Sequence, residues 1–240
     1  MFFTRLPWWR LHEPKREAFS HVVEYWPLVG WLTGGLTMLV YATFLTQMPQ
    51  ALNLVAVIII GVRLLLTGAL HEDGLADFAD GMGGGCTREH TLSIMKDSHI
   101  GTYGVLALII YFLFLYSTLP HLSPLVLVTA DVWGKSVASL LILQLPYART
   151  EAEAKNRTVY AHYSWFAQLM RILFAMSPVA LLWWYVGDVP NVWLFIVPVV
   201  VELALALWMK RSLSGYTGDC CGATFLLCEA SMFLTYLLIQ

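Results

Sequence analysis

The chain has 240 residues, of which 58% are hydrophobic and only 12% charged, against about 25% charged in an average soluble domain. A soluble fold of this size cannot bury that much apolar surface, and disorder is excluded because it needs low hydrophobicity and high charge. Four cysteines are too few for a disulfide scaffold, and a net charge of −2 argues against nucleic-acid binding. What remains is an all-α integral membrane protein, one polytopic domain over residues 1–240.

Residues 1–25 read as an interfacial segment, with Phe2, Phe3, Leu6, Trp8 and Trp9 set among Arg5 and Arg10. A helix needs about 20 apolar residues to cross a bilayer. Seven stretches qualify or come close: 26–46, 51–70, 103–119, 124–145, 166–186, 190–209 and 222–239. Long alternating strands are absent, so a β-barrel is not expected. No internal repeat stands out, which argues against an inverted-repeat transporter.

Orientation follows from lysine and arginine. Eleven of the 14 basic residues fall in the N-terminal segment or in the loops after the second, fourth and sixth stretches. They are Arg5, Arg10, Lys15, Arg16, Arg88, Lys96, Arg149, Lys155, Arg157, Lys210 and Arg211. This bias predicts a cytoplasmic N-terminus, cytoplasmic long loops and a C-terminus outside. In that compartment the cysteines are expected to be reduced thiols.

Five charges fall inside apolar stretches: Arg63, Asp131, Lys135, Glu202 and Glu229. Each is expensive against lipid. Asp131 and Lys135 are four residues apart and can pair on one helix. Glu229 either lines a shared polar cavity or pairs with Arg63. Arg171 is near enough to a helix end to snorkel.

The cytoplasmic loop 71–102 is the most informative segment. It opens HEDGLADFADGMGGG, with Glu72, Asp73, Asp77 and Asp80 and no lysine or arginine among them. If the second helix continues past the membrane, Asp73, Asp77 and Asp80 share one face. Three like charges there repel without a counter-cation. Hard divalent cations take oxygen ligands, and Mg²⁺ uses one or two carboxylates plus substrate phosphates. The three aspartates are therefore candidate metal ligands. Gly81, Gly83, Gly84 and Gly85 read as a flexible loop, and Thr87 as a helix N-cap. Leu92 and Met95 form an apolar stripe that suits a helix resting on the bilayer. Lys96 and Ser98 then stand near Gly101 and Gly104, a pattern that can bind phosphate. A second polar loop, 210–221, holds hydroxyls, glycines and Asp219. Topology places it on the same side.

These motifs resemble the cobalamin synthase family of membrane transferases. TGALHEDGLADFADGMGGG followed by IMKDSHIGTYG matches the family pattern, as do FTRLP, WPLVGWLTG and GYTGDCCGA, so the likeness runs through nearly the whole chain. Ala69 stands where a second glycine is usual, Glu72 where an apolar residue is, and His99 replaces an arginine. Gly134, Lys135 and Leu226 also depart from the pattern. The resemblance implies a Mg²⁺-dependent transfer in which adenosylcobinamide-GDP and α-ribazole, or its 5′-phosphate, give the cobalamin product and GMP. It implies Asp73, Asp77 and Asp80 as metal ligands. His71, Lys96, Ser98, Thr217 and Glu229 would bind substrate. Asp97 or Asp219 would take the proton of the attacking hydroxyl. It further implies a multi-pass protein of the cell inner membrane, with lipid around it and self-association left open. A CDP-alcohol phosphatidyltransferase would use similar cation chemistry, but DGLAD lacks that family's arginine and later aspartate spacing. A cation transporter should place its acids near the midplane of several helices, whereas here they crowd one edge.

Overall fold

A computed structural model describes residues 3–7, 10, 16–149, 165–187 and 190–240. Phe2, Trp8, Trp9, Lys15, Lys155 and Arg157 lie outside those residues. The described chain is helical: α1 Trp26–Gln47, α2 Leu52–Thr67, α3 Leu70–Gly84, α4 Arg88–Ile94, α5 Thr102–Thr118, α6 Pro124–Ala138, α7 Leu141–Gln144, α8 Trp165–Val186, α9 Trp193–Leu213 and α10 Gly218–Leu238. Among the described residues the sole β pairing is an isolated bridge between Tyr147 and Tyr216. Six helical spans among the described residues are long and apolar enough to cross a bilayer, and the bent pair α2–α3 makes a seventh if its two helices count as one broken span.

The expected continuation of the second helix through the acidic motif does not occur. Gly68 and Ala69 both adopt left-handed backbone, φ 67° and 57°, and the chain turns 91° between α2 and α3. Glycine takes this conformation freely, but for alanine it costs about 1 kcal/mol. The resemblance leads one to expect glycine at position 69, and a left-handed backbone suits one. The N-terminal segment covers the break. The Arg5 amide donates to the Leu66 carbonyl at 2.8 Å, and the Arg5 side chain occupies the space a Cβ on Gly68 would need. Phe3 is buried and stacks on Trp26, with ring centroids 5.3 Å apart.

Of the glycines expected as a loop, Gly81, Gly83 and Gly84 belong to α3 and Gly85 is its extended C-cap. They are spent on close packing. A Cβ on Gly81 would fall 2.3 Å from Met95 Cγ, and one on Gly83 would fall 2.7 Å from the Tyr103 ring. Met95 is accordingly fully buried, so the α4 stripe rests on protein and not on the bilayer. Glycines also set the tightest crossing of the bundle. A Cβ on Gly30 or Gly34 of α1 would lie 2.8 Å and 2.9 Å from the Cα atoms of Val132 and Val128 on α6. This is the small-xxx-small spacing that lets membrane helices touch backbone to backbone.

Four of the five charges in the apolar stretches are paired, whereas the buried Glu202 accepts from Gln144 at 3.3 Å. Arg63 of α2 grips Glu229 of α10 with both terminal nitrogens, one bond measuring 2.8 Å. Lys135 pairs with Asp131 on α6, and the Thr33 hydroxyl of α1 donates to Asp131 at 2.9 Å. Arg171 does not snorkel: it is buried and donates to the Ser136 carbonyl at 3.0 Å. A membrane interior leaves a cation no water, so a nearby carbonyl is the cheaper partner. Because Ala69 holds a conformation suited to glycine, Ala69→Gly should raise stability by about 1 kcal/mol. Thermal unfolding in detergent checks this, and a stability that is unchanged or lower contradicts it.

Candidate active site

The acidic helix α3 and the start of α10 meet at one end of the bundle. Their backbones touch, because both carry glycine at the crossing. A Cβ on Gly74 would lie 3.0 Å from the Asp219 carbonyl oxygen and 3.2 Å from its Cα, and one on Gly222 would lie 3.3 Å from His71 Cα. The Asp219 backbone therefore lies against Gly74, the residue that follows Asp73, although well over a hundred residues separate the two helices' contact points in the chain. Thr217 caps α10, its hydroxyl accepting the Cys220 amide at 3.3 Å and donating to Asp219 Oδ2 at 3.4 Å. Asp219 lies in the first turn of α10, where the helix dipole favours negative charge.

The three aspartates of α3 differ in setting. Asp73 is exposed and Asp77 half-buried, one turn apart on the same face. Asp80 is buried. Its two oxygens accept the Gly101 and Gly104 amides at 2.7 Å and 2.8 Å, which fastens the start of α5 to α3. Gly101 and Gly104 are needed there, since a Cβ on either would collide with that carboxylate.

The Lys96–His99 stretch is an exposed turn after α4. Asp97 Oδ1 meets the His99 ring nitrogen Nδ1 at 2.7 Å and accepts the His99 amide at 3.0 Å. Lys96 lines an open groove beside α4. Thr87 caps α4 as expected, accepting the His90 amide at 3.2 Å.

Two candidates lie deeper. His71 is buried among Phe3, Trp26 and Phe225, its ring 4.8 Å from that of Phe225, and its Nε2 finds no hydrogen-bond partner. Glu229 is fully buried and bound to Arg63. Both border a small polar region around Arg63, Glu72, Asp131 and Lys135. The sequence offered the Asp131–Lys135 pair, and Arg63 as one alternative partner of Glu229, but gave no sign that four helices bring both pairs and Glu72 together. It also gave Arg88 and Arg149 no role beyond anchoring.

Among the described residues, no group of three or more His, Cys, Asp or Glu side chains is arranged to hold a metal ion alone. The donor chemistry of Asp73 and Asp77 nevertheless fits Mg²⁺, which is commonly bound by one or two carboxylates and completed by substrate phosphates.

These features define a multi-pass helical membrane protein with a carboxylate site built where two helices cross at the bundle edge. The chain belongs to the cobalamin-5-phosphate synthase family, whose model matches residues 1–237. Relatives called adenosylcobinamide-GDP ribazoletransferase occur in Vibrio parahaemolyticus, 37% identical over 98% of this chain and 88% of the relative, and in Shewanella piezotolerans, 35% identical over 99% and 92%. One from Vibrio cholerae is 35% identical over 98% and 90%. No solved structure matches the chain.

The Asp97–His99 contact has a measurable consequence. The hydrogen bond that the His99 ring donates to the Asp97 carboxylate holds the imidazole above its ordinary value of 6.5, and the same bond holds Asp97 below its ordinary 3.8. The pair is thus charged on both sides in acid to neutral solution and discharges as pH rises through the raised His99 value. NMR titration should find His99 above 6.5, and Asp97→Asn should bring it back down. A His99 value indifferent to that substitution contradicts the pairing.

Proposed function

We propose that this protein joins adenosylcobinamide-GDP to α-ribazole, or its 5′-phosphate, in cobalamin nucleotide-loop assembly, releasing GMP. The observation that supports this most is the α3–α10 crossing, which lays the Asp219 backbone against Gly74 of the acidic helix in a chain of this family. The one-sided basic residues support an inner-membrane protein whose site end faces the cytoplasm.

A ribose hydroxyl of α-ribazole attacks the phosphorus that stays with cobinamide. The bond from that phosphorus to the GMP oxygen breaks, and GMP leaves with the electron pair. The hydroxyl proton passes to a carboxylate, Asp219 or Asp97. Asp219 is the better placed, since its backbone is held against Gly74 of the acidic helix α3 and fixed at a helix start. Such transfers need positioning and charge neutralisation more than covalent help.

Asp73 and Asp77 would hold Mg²⁺ at this edge. Asp80 stays in the proposed set as the clamp behind them, because a carboxylate oxygen accepting one N–H keeps a second lone pair. When bound, the ion neutralises diphosphate charge and stabilises the departing phosphate. Lys96 and Ser98, on their exposed turn, would meet further phosphate oxygens, and Thr217 would keep Asp219 oriented. His71 and Glu229 would act from the interior, holding α3 and α10 in register.

The experiment is GMP release from adenosylcobinamide-GDP and α-ribazole by the purified chain in detergent. Release should require Mg²⁺. Asp73→Asn, Asp77→Asn and Asp80→Asn should each lower it by about 100-fold while the protein stays folded in the membrane. Wild-type release in all three variants would refute a carboxylate-held cation. Absence of GMP from the wild-type chain would refute the transferase reading.

A further inference from the structure

An open groove of about 530 Å³ runs between α4 and the segment that follows α7, within the range for small-molecule sites. Arg88, Lys96 and Arg149 line it, opposed by one carboxylate, Glu89. It is a positive surface on a chain whose net charge is −2.

Backbone carbonyls hold its two arginines in place. Arg149 is only 8% exposed and donates to the Leu92 carbonyl at 2.9 Å. Arg88 donates through Nε to the Leu213 carbonyl at 2.8 Å and through Nη2 to the Ala148 carbonyl at 2.6 Å. A guanidinium has five N–H donors in a rigid fork. Arg149 is therefore oriented by some of its donors and keeps others for a ligand, while the remaining terminal nitrogen of Arg88 lies 3.7 Å from the exposed Glu89 carboxylate, a partner a phosphate would have to displace. This is a preorganised arrangement, unlike that of lysine anchors at a membrane surface.

The groove wall leads into the carboxylate site. The Ala148 amide donates to the Tyr216 carbonyl at 2.8 Å, and the Tyr216 amide to the Pro146 carbonyl at 3.0 Å. The Tyr147 and Tyr216 rings meet edge to face at 5.3 Å, three residues before Asp219. Burial pushes the Tyr147 phenol up to about 12, with Arg149 pulling it down and Asp219 pushing it up, as expected of a ring lying between the two.

We propose that this groove is the subsite for the nucleoside monophosphate half of the donor, held by Arg88, Lys96 and Arg149, so that GMP leaves along the groove, away from the acidic edge of α3. The assignment rests on the transferase reading above. The donor needs such a place more than the acceptor does, because α-ribazole can react without a phosphate. When the P–O bond breaks, the departing phosphate gains negative charge. Fixed guanidiniums beside it then bind the transition state more tightly than the intact diphosphate. Tyr147 offers an aromatic wall for the base.

The test measures GMP binding to the full chain by equilibrium dialysis in phosphatidylcholine nanodiscs, without turnover. Ser93 is exposed on the groove side of α4, and its hydroxyl bonds only the His90 carbonyl of its own helix. Ser93→Glu and Lys96→Ala should each weaken GMP about tenfold, the scale of one charge-assisted contact. Glu89 is 79% exposed, and Glu89→Gln should tighten GMP about threefold, a gain that damage to the fold cannot mimic. The KM for α-ribazole should not move. GMP affinity unchanged in both Ser93→Glu and Glu89→Gln overturns the proposal. So does a result in which these variants alter binding to phosphatidylglycerol vesicles and leave GMP alone, which would make the groove a lipid anchor. Turnover of the wild-type chain is scored separately: its absence refutes the transferase reading, whereas turnover with charge-insensitive GMP binding refutes the groove alone.

Discussion

Two successive left-handed residues, Gly68 and Ala69, set the condition for everything else. They stop an apolar helix and start an acidic one at 91° to it. Irregular backbone at membrane depth survives only where protein covers it and satisfies its polar groups. Here the Arg5 amide takes the Leu66 carbonyl, and the Thr67 hydroxyl bonds back to the Arg63 carbonyl at 3.0 Å. Without the turn, α3 would continue along α2 and could not lay Gly74 against Asp219.

The buried ion pairs keep that geometry in place. Isolated charges in a membrane interior are costly, and even a good buried pair gives little net stability against apolar residues of similar size. The pairs are better understood as specifying one arrangement. Arg63 joins α2, just before the turn, to α10, which carries Asp219. Lys135, Asp131 and Thr33 join α6 to α1, where Gly30 and Gly34 have already removed the side chains that would hold the helices apart. Lys135 also lies 3.9 Å from the Phe225 ring centre, and Phe225 packs on His71. The charges of the interior thus converge on the first turn of α3. The α3–α10 end of the bundle has a matching division, with carboxylates on α3 and α10 and the guanidiniums of Arg88 and Arg149 beside α4. A diphosphate substrate needs both, one side to carry a cation and the other to receive the departing phosphate.

Much of this was legible in the sequence. The spans read correctly because about 20 apolar residues can do little else in this composition. The acidic motif, the Thr87 cap and the Arg63–Glu229 pair were also accessible, since spacing or isolated charge marks each. The 91° turn was not, because TGAL reads as ordinary apolar helix and an alanine does not announce positive φ. The run Gly81 to Gly85 misled for the opposite reason: glycine serves both as a flexible link and as a contact point between backbones, and only the positions of Met95 and Tyr103 distinguish the two. The Gly30-to-Gly34 spacing was a readable signal that went unused. Arg171 and Met95 were misplaced because their partners, the Ser136 carbonyl and Gly81, come from distant parts of the chain. Arg88 and Arg149 could not be told from lipid anchors until backbone carbonyls of Leu213, Ala148 and Leu92 were seen to hold them.

The central claim is that one cation sits on the aspartates of α3 at the α3–α10 crossing and touches the donor's phosphate. Electron paramagnetic resonance of Mn²⁺, standing in for Mg²⁺, tests this most directly in the full chain with adenosylcobinamide-GDP bound. The account predicts bound Mn²⁺ with phosphorus hyperfine coupling, lost when Asp73 and Asp77 are both changed to asparagine. Bound Mn²⁺ with the same coupling in that double variant would contradict it.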